Sequence, residues 1–487
     1  MKKQKNIGIN AILNVVKSAL SVLFPLITYP YALRVLGTEG IGKVSYGSSI
    51  VSYFSLLAML GVSTYAVREG AKKKANKDDF NQFANEIFTI NIVTTFIAYV
   101  FLAIALFTVV KFHDYSKLIL LQSSVILLTT LGVDWINTVY EDFLLITVRS
   151  IISHFITMAL LFIFVHEPED YYLYAALTVV NNGIVCISNW FYVRKYARVK
   201  LTPHPNIKKH IKPLLILFAN AVTVTIYVNF DTTMLGWMKG DLYTGLYAVS
   251  VRIYSIIKSL LAAIYAVAIP RLAFYHGNRH FEDYKKLYSN LWGYLTILLI
   301  PAGIGLICVS DEIIRFMGGE EFAASALSLQ ILAVSLVFAI FGGLVTACLN
   351  VTLGREKDNL IATVISAVIN CGLNLIFIPL FAHYGAAMTT LISEAFVFIF
   401  CLVRVPSKNM YIEKGTVRKS MAHAFTGSAF IVLIALVFKN IVDHYLIRLG
   451  LIVGVSVIIY FAFLVIIKDT YAMENLDKLK KKLLKRI

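Results

Sequence analysis

The sequence predicts an all-α polytopic membrane protein of about 14 transmembrane helices, built as two pseudo-symmetric six-helix lobes plus two C-terminal helices. Three observations predict it. Of the 487 residues, 58% are hydrophobic and 15% charged, with a mean hydropathy of +0.74, an apolar surplus that a soluble chain could not bury. Apolar runs of about 20 residues recur along the chain, the length at which a helix crosses a bilayer core and satisfies its own backbone there. Lys and Arg collect in the short connections between these runs. Period-two alternation, the signature of a membrane barrel, is absent from the sequence.

The expected spans are 9–33, 43–66, 84–110, 118–139, 143–165, 171–193, 213–237, 243–269, 288–309, 325–349, 359–381, 385–403, 419–438 and 446–467. An even count returns both termini to one side. Counting Lys43, Lys419 and Arg448, at span edges, with the adjoining connections, alternate connections and the two ends hold 33 of the 45 Lys and Arg, the remaining connections 8, and the spans four. That asymmetry places both ends in the cytoplasm, and an odd count would scramble it. The opening stretch, basic and then apolar, resembles a signal peptide; Lys17 and the lack of a small-residue cleavage site make it an uncleaved first span instead.

Residues 194–212 hold seven Lys or Arg, no acid and two prolines. They separate six spans from eight, which gives an N-lobe over 1–193, a basic cytoplasmic linker over 194–212, a C-lobe over 213–403, and two last helices with a basic tail over 404–487. A weak repeat agrees: Leu36-Gly37 returns as Leu235-Gly236, and Tyr65-Ala66-Val67 as Tyr265-Ala266-Val267. Six helices per lobe would make such a repeat parallel, about an axis along the membrane normal. The tail over 478–486, KLKKKLLKR, reads equally as an amphipathic helix on anionic membrane lipid or as a solvated topogenic tail.

Several functions are excluded. The net charge of +17 invites nucleic acid, but its confinement to short connections is a topology signal, so no nucleic-acid partner is expected. The five cysteines lie in apolar runs without metal spacing, and no GxxxxGK[ST], HExxH or GxSxG occurs, so no catalytic residue, metal or cofactor is expected. An enzyme reading survives only as a membrane glycosyltransferase or polymerase with a scattered site. No connection is long enough for a separate catalytic domain.

Ionisable residues inside spans cost roughly 2.5–3.5 kcal/mol each on insertion scales and ordinarily face a bundle interior or a wet cavity. Lys17, Arg149, Arg252 and Lys258 are the cations so placed, Asp134, Asp231 and Glu394 the acids. Lys17 and Arg149 lie near enough to the inner surface to snorkel as an alternative; Arg252 and Lys258 do not. Asp231 reads either as the counter-ion of Arg252 or as an ion-coupling group. Asn220, Asn229, Tyr247 and Tyr254 give the seventh and eighth spans polar groups suited to sugar hydroxyls, or to plain helix-to-helix bonding. Pro25 and Pro30 are expected to kink or break the first span.

Residues 27–71, ITYPYALRVLGTEGIGKVSYGSSIVSYFSLLAMLGVSTYAVREGA, resemble the polysaccharide repeat-unit flippases (O-antigen and capsule type) of the multidrug/oligosaccharidyl-lipid/polysaccharide exporter superfamily. Pro-Tyr, Arg-Val-Leu-Gly and Glu-Gly-x-Gly over 30–42 carry most of the likeness, with Asp134-Trp135 and Ile146-Thr147-Val148-Arg149-Ser150 behind them. Where that family often has an aromatic and Gln-Gly after the Trp, this chain has Ile136-Asn137-Thr138-Val139. The resemblance implies a fold like that of the multidrug exporters around a central cationic cavity. It also implies alternating access, a bacterial cytoplasmic membrane, an undecaprenyl-pyrophosphate-linked oligosaccharide as substrate, and polymerase or assembly proteins as partners. By position in the motifs it adds Arg34 and Arg149 to the residues expected to meet phosphate, beside Arg252, Lys258 and Lys17. Proton or sodium coupling through Asp134, Asp231 or Glu394 is an open expectation. A cation-coupled multidrug antiporter and a lipid II-type flippase are the alternatives.

Overall fold

A computed structural model describes residues 7–405, 411–474 and 476, and leaves the side chains of 7–22, 220 and 414 outside that description. Among the described residues every regular element is a helix. Two compact units result, Met1–Gly245 and Leu246–Ile487. Unit one holds α1 (Ile7–Met59), α2 (Val62–Lys73), α3 (Lys77–Thr108), the single turn α4 (Val110–His113), α5 (Ser116–Gly132), the short α6 (Trp135–Val139), α7 (Phe143–Phe164), α8 (Tyr171–Val193) and α9 (Ile207–Met238). The next helix, α10 (Asp241–Ala266), begins in unit one and continues into unit two. Unit two goes on with α11 (Ile269–Gly277), α12 (Phe281–Cys308), α13 (Ser310–Gly318), α14 (Ser325–Gly343), α15 (Glu356–Arg404), α16 (Lys414–Ile441) and α17 (Tyr445–Ile466). The helix that follows the basic stretch, α9, is thus grouped with the helices before it.

Eleven helices among the described residues are long and apolar enough to cross a membrane. Three places account for the difference from the expected fourteen. In α1 the backbone breaks at Gly37 (φ 65°, ψ −177°). Before the break Tyr31 bonds the Val165 carbonyl at 2.7 Å; after it the Ala58 carbonyl accepts from Asn91, midway along α3, at 2.9 Å. In α15 the break is at Ala382 (φ 49°, ψ −127°), and a Cβ on Gly385 would sit 2.2 Å from the Phe377 carbonyl oxygen. Eight residues of straight helix would separate those two by about 12 Å, so α15 doubles back on itself. The third place is α5, apolar but only 17 residues long.

Pro25 and Pro30 lie within helical backbone, and the break expected from them falls at Gly37 instead. Glycine takes a positive φ without a Cβ clash, whereas proline, with φ fixed at about −65°, can bend a helix but cannot take the positive φ found at this break. The repeat partner Gly236 has another use: a Cβ there would lie 2.2 Å from the Tyr46 ring, so the glycine admits the close approach of α9 to α1.

The connections of unit one gather at two ends. At one end Gly40 lies against the Pro168 carbonyl, Gly42 against Asp241, and Tyr115 donates to Asp241 at 2.7 Å. At the other, Lys74 pairs with Glu141 at 3.0 Å, and Tyr192 and Tyr196 both donate to Asp142. Burial and the Asp142 carboxylate hold the Tyr196 phenol well above the usual phenol range, so it stays a donor.

At that second end the basic stretch is fastened to α3. The amides of Arg198, Lys200 and Thr202 donate to Asn81 Oδ1 (3.1 Å), Asn85 Oδ1 (2.8 Å) and Thr89 Oγ1 (2.9 Å). Every fourth residue of a helix rises about 6.0 Å and every second residue of an extended chain about 6.6 Å, so the two spacings register. Beyond the ladder His210, fully buried, places Nε2 2.9 Å from Glu86 Oε2 and Nδ1 2.7 Å from the Tyr65 hydroxyl. Tyr65, Glu86 and His210 thereby join α2, α3 and α9.

Candidate functional site

The expected cations fall into three groups. Lys17 has its side chain outside the described residues, as does the polar Asn220. Arg34 and Arg252 are exposed, Arg34 one turn before the Gly37 break and Arg252 on α10. Arg149 and Lys258 each carry an acidic partner, so neither stands as a free cation.

In unit one, Arg149 is 7% exposed and sends Nη2 to Asp134 Oδ1 at 2.9 Å, while Asp134 is 52% exposed. Asp134 is not inside a span as expected. The helix stops at Gly132, Val133 takes a left-handed φ of 41°, and Asp134 begins the turn into α6. That turn is pinned by buried amides: Asn189 donates to the Gly132 carbonyl and Asn137 to Asn189. Asn137 stands where the resembling family has another pattern, and here it is structural. The second guanidinium nitrogen of Arg149, Nη1, is buried without a hydrogen-bond partner. Such a donor is an unmet cost unless an acceptor arrives.

In unit two, Lys258 Nζ lies 2.5 Å from Glu394 Oε1 and 5.4 Å over the Tyr254 ring, and Tyr254 donates to the same carboxylate at 3.2 Å. Lys258 is 36% exposed and Glu394 9%. Tyr247, buried, meets Thr390 at 3.2 Å. Tyr247, Tyr254 and Lys258 occupy one stripe of α10 at helical spacing. Arg252, six positions from Lys258, lies off that stripe.

Polar residues of the seventh span do mostly packing work. Asn229 donates to the Thr225 carbonyl at 3.1 Å, and Thr233 meets Ser49 and Tyr53 of α1 at 2.9 Å each. Asp231 is buried. Sequence reasoning missed Glu86, an acid two residues into an expected span, and its partner His210 in the basic stretch. The signal was present in Glu86, since an acid within an apolar run needs a partner.

Unit two also carries an apolar cavity of about 520 Å³ among α12, α16 and α17, with Ile297, Pro301, Gly305, Ile452, Val457 and Phe461 in its wall. Hydrocarbon fits such a wall and charged groups do not. Among the described residues no cluster of His, Cys, Asp and Glu suits a metal ion.

Residues 5–276 match the family model described as polysaccharide biosynthesis protein, and residues 216–376 match the MatE model. A putative O-antigen transporter of Shigella dysenteriae is 22% identical over 392 residues, covering 79% of this chain and 96% of the relative. The probable low-salt glycan biosynthesis flippase Agl15 of Haloferax volcanii is 28% identical over 176 residues, 35% of this chain and 36% of that protein. In fold, the chain is similar to a solved structure of the lipid II flippase MurJ in an inward closed conformation (TM-score 0.77, 15% identity, 94% of this chain and 100% of that one). It is also similar to an inward-facing multidrug resistance MATE transporter (TM-score 0.56, 15% identity, 79% and 98%).

Proposed function

The chain belongs to the polysaccharide biosynthesis protein family and is a membrane polysaccharide flippase, a transporter and not an enzyme; from that premise we propose that it carries an undecaprenyl-pyrophosphate-linked oligosaccharide to the outer leaflet of a bacterial cytoplasmic membrane by alternating access. The Lys and Arg distribution supports a cytoplasmic location for both termini in this reading. The observation that carries the substrate class is Arg149: a buried guanidinium held by one nitrogen and with the other unsatisfied is suited to a phosphate oxygen. Taken by itself, the apolar cavity of unit two suits a hydrocarbon chain.

Lys258 enters differently. Glu394 neutralises it, so Lys258 meets an anionic substrate only once Glu394 has taken up a proton or swung away. That exchange supplies proton coupling without a further cofactor, in line with a carboxylate that is deep while its partner reaches water. With the cell interior negative, export of an anion is already downhill by about 2.3 kcal/mol per charge per 100 mV. Polymerase and assembly proteins that use the flipped repeat unit are the expected partners.

The test is complementation. In a strain whose own flippase is deleted, Arg149→Ala and Lys258→Ala should lose surface polysaccharide at unchanged protein level, while Arg252→Ala keeps most of it. Normal polysaccharide in both of the first two variants would refute the reading. The MatE match at residues 216–376 favours a second reading, cation-coupled multidrug antiport. Efflux of a cationic dye separates the two. A lipid II-type substrate would instead show as lysis on depletion.

A further inference from the structure

A cavity of about 420 Å³ opens at the basic end of unit one, lined by Val133, Trp190, Val193, Arg194, Ala197, Arg198, Val199 and Lys200. Several cations among the described residues sit beside acids: Lys74 beside Glu141, Arg149 beside Asp134, Arg355 and Arg404 beside Asp358, Arg448 beside Glu312. Arg194, Arg198 and Lys200 are different. All are exposed, the cavity has no acid in its lining, and Asp134, next to Val133 in sequence, is already bound to Arg149.

The arrangement is held in place. Hydrogen bonds to Asn81 and Asn85 fix the backbone under Arg198 and Lys200, and those two residues share a face of the extended strap. The Arg194 guanidinium stacks 5.4 Å over the Phe191 ring. Trp190 and Val193 end α8, a helix of membrane-crossing length, and Val133 follows the end of α5. The cavity therefore lies where hydrocarbon gives way to headgroups, with an apolar floor and a cationic rim.

We propose that this cavity binds the headgroup phosphate of an anionic glycerophospholipid of the adjoining leaflet, with the first acyl methylenes on Trp190, Val193 and Val199. Basic pockets at helix ends on the cytoplasmic side suit such headgroups. Arginine pairs contribute forked donors and lysine a point charge. The transported substrate plays no part in the argument, so the binding test stands apart from any transport assay.

The test uses the full chain in nanodiscs of phosphatidylcholine containing a small fraction of brominated phosphatidylglycerol, with quenching of Trp190 read as the difference between the wild type and Trp190→Phe. Brominated phosphatidylglycerol should quench more than an equal fraction of brominated phosphatidylcholine. The triple variant Arg194→Gln, Arg198→Gln, Lys200→Gln should lose that preference, by about fivefold in affinity per charge and roughly a hundredfold in all. Lys208→Gln, Lys209→Gln, Lys212→Gln, which removes equal charge from exposed positions in the first turns of α9, should keep it. Equal quenching by the two lipids, an unaffected first variant, or an equally affected second variant would overturn the proposal. So would displacement by inorganic phosphate at the lipid's concentration, which marks a free-anion site, or by polyprenyl phosphate in preference to phosphatidylglycerol, which marks a carrier site. Arg198→Gln alone, with a several-fold loss, serves if the triple variant fails to fold.

Discussion

Each unit buries one half of an ion pair, and the two units bury opposite halves. In unit one the cation is deep and the acid wet: Arg149 is 7% exposed, Asp134 52%. In unit two the acid is deep and the cation wetter: Glu394 is 9% exposed, Lys258 36%. The difference matters because a carboxylate can shed its charge by taking a proton and a guanidinium cannot. Unit one therefore buries the member whose charge is permanent, and unit two buries the member whose charge is not. Under the proposed function the first suits a phosphate and the second suits proton coupling.

Breaking the wet member of each pair exposes the contrast most directly. Asp134→Ala strands Arg149 and should cost about 3 kcal/mol, the low end for an unpaired buried charge, seen as loss of folded protein after heating in detergent. Lys258→Ala should cost less, about 1–2 kcal/mol, because Glu394 keeps the hydrogen bond from Tyr254. Equal losses in the two variants would erase the distinction. Glu394→Gln should leave stability within about 1 kcal/mol, because Lys258 still reaches water, while making transport insensitive to the proton gradient.

The breaks in the two long helices extend the comparison. Unit one turns at glycine, Gly37 with φ 65°, and unit two at alanine, Ala382 with φ 49°. Ala382→Gly should stabilise unit two by about 1 kcal/mol, and Gly37→Ala should destabilise unit one by a similar amount. Opposite signs in a thermal melt would support the assignment of the turns, and matching signs would not.

Much of the fold was legible because a bilayer leaves the chain few options. Apolar length gave the helices, and the placement of Lys and Arg gave two ends, which the structure realises as clusters of alternate connections in unit one. The turn at Gly37 was half legible: the sequence marked Leu36-Gly37 as a repeat, yet drew attention to Pro25 and Pro30. The pairings were not legible. Lys258 and Glu394 are 136 residues apart, and nothing local in either helix announces the other. Reading unpaired charges off spans therefore overstated the number of free cations. His210 was hidden for the opposite reason: surrounded by lysines, it looked like part of a solvated stretch, while its ring is fully buried.

The strap is held to α3 through peptide N–H groups, and every residue except proline owns one. Natural drift can then rewrite the side chains at 198, 200 and 202 at little cost to this fastening, so long as α3 keeps its acceptors at 81, 85 and 89. The two prolines of the stretch obey that grammar, for Pro203 and Pro205 both fall after the last donor, Thr202. Descendants of this protein should vary in the colour of the thread and hold constant the eyelets it passes through.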